Sequence, residues 1–221
     1  MSISKKIAER LRSAGAKFTA NDNIYEYIED GELELLKAEV QEKFQSLLET
    51  LVIDTANDPN TIGTAERISR MYIDEVFSGR YTKEPKMTEF PNTRKVGDMI
   101  VIGSINVRSA CSHHFAPFIG KAWVGVIPNE KLIGISKFSR LINWFATRPQ
   151  IQEELTDQIA NELEAQIQPK GLAVVIKATH ECMTWRGVKE TDSFMTTFVM
   201  RGLFRENAQT REEFLRLIGS K

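Results

Sequence analysis

The chain has 221 residues, 42% of them hydrophobic, with a formal net charge of −1. That length suits one large domain or a domain with an appendage, and the balanced charge argues against a nucleic-acid binder recruited by a basic field. Met1–Arg12 carries too many charges for a signal peptide, no apolar run approaches the ~20 residues of a bilayer span, and two cysteines do not make a disulfide framework. A soluble protein of the reducing cytoplasm, with no membrane partner, is expected.

In chain order, residues 1–30 are polar, with Gly15 and Asn21-Asp22-Asn23, and read as an arm. Leu36, Val40, Phe44, Leu47, Leu48 and Leu51 recur at helical spacing and predict an amphipathic helix over 32–52, broken by Asp58-Pro59-Asn60. A second helix is expected over Thr64–Phe77, ending at Ser78-Gly79. It carries Arg67 and Arg70 three apart, which on spacing alone most simply form a solvated face.

From about residue 96 the pattern changes. Met99–Val107, Phe118–Ile127, Leu172–Thr179 and Phe194–Met200 are rich in Val, Ile, Phe and Thr and read as strands. Between the second and third lie two predicted helices, Ser136–Ala146 and Pro149–Ile167. The latter has proline in its first turn and an i+4 stripe of Ile151, Leu155, Ile159, Leu163 and Ile167. Glu153, two residues from Ile151, stands roughly opposite that stripe and is not core. The order strand–strand–helix–helix–strand–strand predicts an α+β fold, an antiparallel sheet with both helices on one side. The chain thus divides into an arm (1–30), a helical region (31–95) and a sheet domain (96–221). So short a sheet has open edges that need partners to cover them.

The two cysteines and three histidines fall in two clusters, Cys111-Ser112-His113-His114 and His180-Glu181-Cys182. Thiolate and imidazole are the donors zinc selects. Cys111 with a histidine of its own turn, and Cys182 from a second segment, give two sulfurs and a nitrogen with a fourth position open, the catalytic rather than the closed structural pattern. Spacing alone allows either His113 or His114. His180 and Cys182 are two apart, so on a strand they share a face. The competing readings are two buried small hydrophobes or a disulfide, but residues placed for ordinary packing would be scattered.

These segments resemble a known family. Ser109-Ala110-Cys111-Ser112-His113-His114-Phe115, Gly120-Lys121-Ala122, Ile133-Gly134-Ile135-Ser136-Lys137, Arg140, Arg148-Pro149-Gln150-Ile151-Gln152-Glu153, His180-Glu181-Cys182-Met183 and Arg186-Gly187 are similar to GTP cyclohydrolase I. The resemblance extends from Thr64–Tyr72 and Glu75–Gly79 upstream to Gly202-Leu203-Phe204 and Arg211–Leu215, covering roughly 33–218.

The resemblance implies a tunnelling-fold (T-fold) domain and a zinc-dependent hydrolase. That hydrolase opens the imidazole ring of GTP at C8, releases formate and recloses the product as 7,8-dihydroneopterin triphosphate. By likeness Cys111, His114 and Cys182 hold zinc, while His113, His180 and Ser136 are catalytic. Lys137, Arg140 and Arg186, with Arg67 and Arg70, take the triphosphate, for which arginine's planar fork is suited. Glu153 accepts from guanine's N1–H and exocyclic amine and so rejects adenine. The family also implies a homo-oligomer, a decamer of two stacked pentamers, with neighbouring subunits contributing to one site.

The chain departs from the pattern at Ser112, where many members carry glutamate, at Glu181 and Trp185, and in 194–201, only loosely like the family's threonine-rich stretch. The alternative is a non-catalytic zinc-containing paralogue that binds a pterin or nucleotide; both non-ligand histidines speak against it. A zinc nucleobase deaminase needs an H-x-E segment and a P-C-x-x-C pair that the chain lacks. A zinc-dependent nucleic-acid module is disfavoured by too few ligands and no basic excess.

Overall fold

Ile3, Ile7 and Leu11 are four apart, a helical stripe hidden among charges, and in a computed structural model describing residues 1–219 they form one face of helix α1 (Ile3–Ser13). The stretch expected as a polar arm therefore contains a helix. The described chain groups into two compact units, Met1–Lys83 and Glu84–Lys221. In the first, α1 is followed by a single turn at Tyr25–Tyr27, by α2 (Glu32–Thr50) and by α3 (Thr64–Arg70), which passes directly into a π-helical stretch, Met71–Val76. Ser78-Gly79, expected as a stop, begins the short α4 (Ser78–Tyr81). Ile7, Leu11, Ile24, Leu36 and Ile73 form this unit's core. A buried carboxylate joins its first two long helices, since Glu32 accepts from Arg10 at 2.7 and 2.9 Å and from Lys6 at 2.9 Å.

The second unit runs β1 (Glu89–Pro91), β2 (Ile100–Cys111), β3 (Pro117–Ile127), β4 (Lys131–Ile133), α5 (Ile135–Ala146), β5 (Pro149–Gln150), α6 (Gln152–Ile167), β6 (Gly171–His180), α7 (Glu181–Thr184), β7 (Met195–Gly202), α8 (Leu203–Glu206) and α9 (Ala208–Gly219). Strands β5-β2-β3-β6-β7 make one sheet, antiparallel except where β5 joins β2, and β1 pairs with β4. The four expected strands and two expected helices are all present, as the α+β sheet domain expected with both helices on one side.

One boundary differs. Pro149 opens no helix; Pro149-Gln150 pairs with Ala110-Cys111 as an edge strand, a position that tolerates a residue without an N–H. Gln150 fixes it there, its buried side-chain amide nitrogen donating to the Phe145 carbonyl at 2.6 Å while its backbone carbonyl accepts from the Ser112 N–H at 3.1 Å. Helix α6 then begins at Gln152.

Alternation sorts the sheet into two faces. Leu172, Val174, Ile176 and Ala178 of β6 join Val107 and Phe118 against Leu141 and Ile142 of α5 and Leu155, Ile159 and Leu163 of α6. Ala173 and Val175 point the other way, to Phe204 of α8 and Phe214 of α9. A bulge between Ile102 and Ile105 shifts the register of β2 by one residue, which keeps Ile105 and Val107 on the same face as Ile102. The backbone passes close to an aromatic there, since a Cβ on Gly103 would stand 2.3 Å from Trp123 Cδ1. No helix among the described residues is long and apolar enough to cross a membrane.

Candidate active site

At the far end of β2 the chain turns tightly. The Cys111 N–H donates to the Ala116 carbonyl and the Phe115 N–H to the Cys111 carbonyl, both at 2.8 Å, with Phe115 in the left-handed region at φ 53°. The β3–β6 register sets Phe118 opposite His180, so β6 ends beside this turn and α7 carries Cys182 to it. One donor atom each from Cys111, His114 and Cys182 then lie within 4.8 Å of one another. Donors around a single zinc, each bonded at about 2.0–2.3 Å, stand roughly 3.5–4 Å apart. The observed cluster fits such an ion after small side-chain movements, and two sulfurs with an imidazole are the donor chemistry zinc takes. Burial, and next the neighbouring Cys111 sulfur, pushes the Cys182 thiol upward.

The other two histidines stand beside this trio. His113 is exposed, its Nδ1 3.6 Å from Cys111 Sγ. His180 stacks on Phe118, ring centroids 4.8 Å apart and planes 11° from parallel, and burial pulls its pKa down against the opposing pull of the Glu153 carboxylate. Its Nε2 lies 2.8 Å from Gln152 Oε1. The Gln152 amide nitrogen donates to the Ile176 and Met195 carbonyls, which only accept, so its oxygen is the atom facing the histidine. An amide oxygen cannot donate; Nε2 therefore carries the proton and Nδ1 keeps the open lone pair.

Gln152 is a site residue that the sequence motifs alone do not single out. The available signal was its place on the apolar stripe of α6, three residues before Leu155 and seven before Ile159, where a polar side chain is buried and must be bonded.

Of the expected anion-binding side chains, Arg186 reaches the cluster, its Nη1 3.2 Å from His114 Nε2. Glu153 is exposed in the first turn of α6, close enough to influence His180. Ser136, Lys137 and Arg140 are not brought there. They lie in the first half of α5, whose Ile135 and Phe138 share a cleft with Ile100 and Val126 at the opposite end of the sheet. A twelve-residue strand separates Ile100 from Cys111, roughly 35 Å at ~3.3 Å per residue. Arg67 and Arg70 belong to the first unit, where Arg67 donates to the Ile62 carbonyl and to Thr64 Oγ1.

An antiparallel sheet backed by two helices, with a Cys–His–Cys cluster that could hold a metal ion and two further histidines at one end, makes this an α+β protein with a candidate metal site. The family model described as GTP cyclohydrolase I matches residues 40–219. The chain belongs to the GTP cyclohydrolase I family. GTP cyclohydrolase 1 of Haemophilus ducreyi is 36% identical over 219 residues, 99% of each chain. That of Actinobacillus pleuropneumoniae serotype 5b is 41% identical over 183 residues, 82% of this chain and 84% of the other. Among solved structures, the apo archaeosine synthase QueF-Like covers 54% of this chain and 97% of its own at 15% identity, with a TM-score of 0.37.

Proposed function

We propose that the site carries out its family's reaction, hydrolytic opening of the GTP imidazole ring with release of formate and formation of 7,8-dihydroneopterin triphosphate. The observation that carries this reading is the convergence of Cys111, His114 and Cys182 beside two histidines outside the trio. Zinc held by the three would supply the Lewis acidity that brings a water's pKa toward ~7.

The chain's own groups do the rest. His113 protonates the purine nitrogen as C8 is attacked, and the open Nδ1 of His180, held in place by Gln152, accepts a proton. Glu153 accepts from the guanine edge, Ser136 assists at the ribose, and Lys137, Arg140 and Arg186, with Arg67 and Arg70, take the triphosphate.

One chain cannot bring Ser136, Lys137 and Arg140 to its own Cys111, because they lie at opposite ends of its sheet. This supports a site shared between copies, in a homo-oligomer for which we propose two stacked pentamers working in the cytoplasm. The test is to incubate the purified, zinc-loaded protein with GTP and assay formate together with a pterin made fluorescent by oxidation. Formation of both is expected; GTP bound and left intact would instead identify a non-catalytic paralogue.

A further inference from the structure

The sheet's second face is only half covered. Around Gly125, Phe204 and Phe214 press so close that a Cβ would stand 2.9 Å from each ring. Further along the same face, Arg108 of β2, Lys121 of β3 and Lys177 of β6 are exposed. They are sent outward by the alternation that buries Val107, Ala122 and Ile176 on the core face.

The register makes these cations unusual. Lys121 sits directly opposite Lys177, and Arg108, opposite Ile119, is one diagonal step from Lys121. Like charges facing each other across a sheet are destabilising. The strands are also pressed together here, since a Cβ on Gly120 would stand 2.0 Å from the Lys177 carbonyl oxygen. Neutral groups support the stems: Lys121 Nζ donates to Asn106 Oδ1 at 2.6 Å, and Lys177 Nζ lies 3.9 Å from the centre of the Phe194 ring. Neither cancels charge. Ion pairs among the described residues of this unit join Lys131 to Glu89 and Arg201 to Asp157 and Glu164 and involve none of the three. Their neighbours on the face, Asn106, Ile119, Thr179, Thr196 and Phe198, include no carboxylate.

We propose that Arg108, Lys121 and Lys177 form a binding site for an oligophosphate chain, on the face of the sheet opposite His180. Directly opposed side chains start about 5 Å apart and diagonal ones about 7–8 Å. Long side chains rooted at that spacing can converge on one phosphate chain, whose several negative charges offset three cations more fully than a single phosphate does. A bound anion removes the repulsion that the bare pair carries. The chemistry is shared by inorganic oligophosphates and nucleoside triphosphates, and the exposed Ile119 and Phe198 offer apolar surface to a base. The site does not depend on the catalytic reading, which uses none of these residues.

The test is calorimetric titration of the whole protein at low ionic strength with inorganic triphosphate, and in parallel with ATP and with orthophosphate. Wild type is compared with Lys121→Thr/Lys177→Thr and with Lys177→Glu, each also in an Arg186→Ala background that weakens the proposed catalytic phosphate site. Wild type is expected to show a triphosphate site that persists with Arg186→Ala, binds orthophosphate at least about tenfold more weakly, and disappears in both lysine variants. Tighter binding of ATP than of triphosphate assigns the nucleotide as the source; equal binding assigns the phosphate chain itself. Threonine suits a strand and Lys177→Glu turns repulsion into attraction, so that variant should melt above wild type in anion-free buffer. Triphosphate binding that survives both lysine variants, or no rise in melting temperature for Lys177→Glu, overturns the proposal.

Discussion

His113 and His114 are adjacent in sequence, yet their surroundings separate them: one joins two sulfurs within 4.8 Å, the other touches a sulfur only from outside. His113→Ala is therefore expected to keep zinc and bind GTP while formate release falls about 10²–10⁴-fold, the usual contribution of a general acid. Metal analysis with a single-turnover formate assay checks both halves, and loss of zinc would transfer the ligand role to His113. Cys182→Ala should lose the metal outright, because Cys182 is the only cysteine outside the first cluster. Full zinc occupancy in that variant would sink the assignment. Gln152 gives a third expectation. Gln152→Leu removes the acceptor that holds the His180 proton on Nε2 and a donor to the Ile176 and Met195 carbonyls, so turnover should drop with GTP affinity little changed. Equal loss in kcat and in zinc content would show a purely structural role. The donors were legible in the sequence because five soft or borderline ligands fell in two short runs. Gln152 was not, because its role depends on a carbonyl of β6 and one of β7 brought to it from 24 and 43 residues away.

At the scale of elements, strands and helices of the sheet domain were readable from periodicity, since each buries a regular face: the stripe Leu155, Ile159, Leu163 is fully buried. A truncation at the centre of that stripe tests the packing, and Ile159→Ala should cost about 2–5 kcal/mol in urea unfolding. What periodicity missed was α1, whose three isoleucine and leucine positions are diluted by charges that bond rather than solvate. Glu32 is buried, and hydrogen bonds from Arg10 first, then from the Glu29 N–H and Lys6, hold its carboxyl well below the usual carboxylate range despite the opposing effect of burial. A carboxylate whose folded pKa is depressed contributes stability that is present above its unfolded value, about 4.3, and that is lost as pH falls below it toward the folded pKa. The protection of α1 amides, taken relative to the intrinsic exchange rate at each pH, should accordingly fall below about pH 4. Glu32→Gln should show faster exchange already at neutral pH, a loss of about 1.5–3 kcal/mol, with little further change on acidification. Equal acid sensitivity in the two proteins would place the effect elsewhere.

For the whole molecule, the distance between the two ends of the sheet decides how a site can be built. The resemblance implies sites completed between neighbouring subunits, but nothing in the sequence gives that distance; the register of β2, β3 and β6, with Ile135 and Phe138 set against Ile100 and Val126, puts the start of α5 at the end of the sheet away from Cys111. If the metal cluster of one chain works with α5 of a neighbour, two inactive variants can repair each other. Cys182→Ala spoils one end and Arg140→Ala the other, and each alone should release little formate. Co-expressed at one to one with different tags and isolated by both, mixed oligomers should recover roughly a quarter of wild-type activity, since each shared site draws its two ends independently from the two chains. A site built within one chain predicts no recovery, because no chain in the mixture has both ends intact. Activity equal to the sum of the separate variants would thus refute sharing, and an active monomer by light scattering would refute it independently.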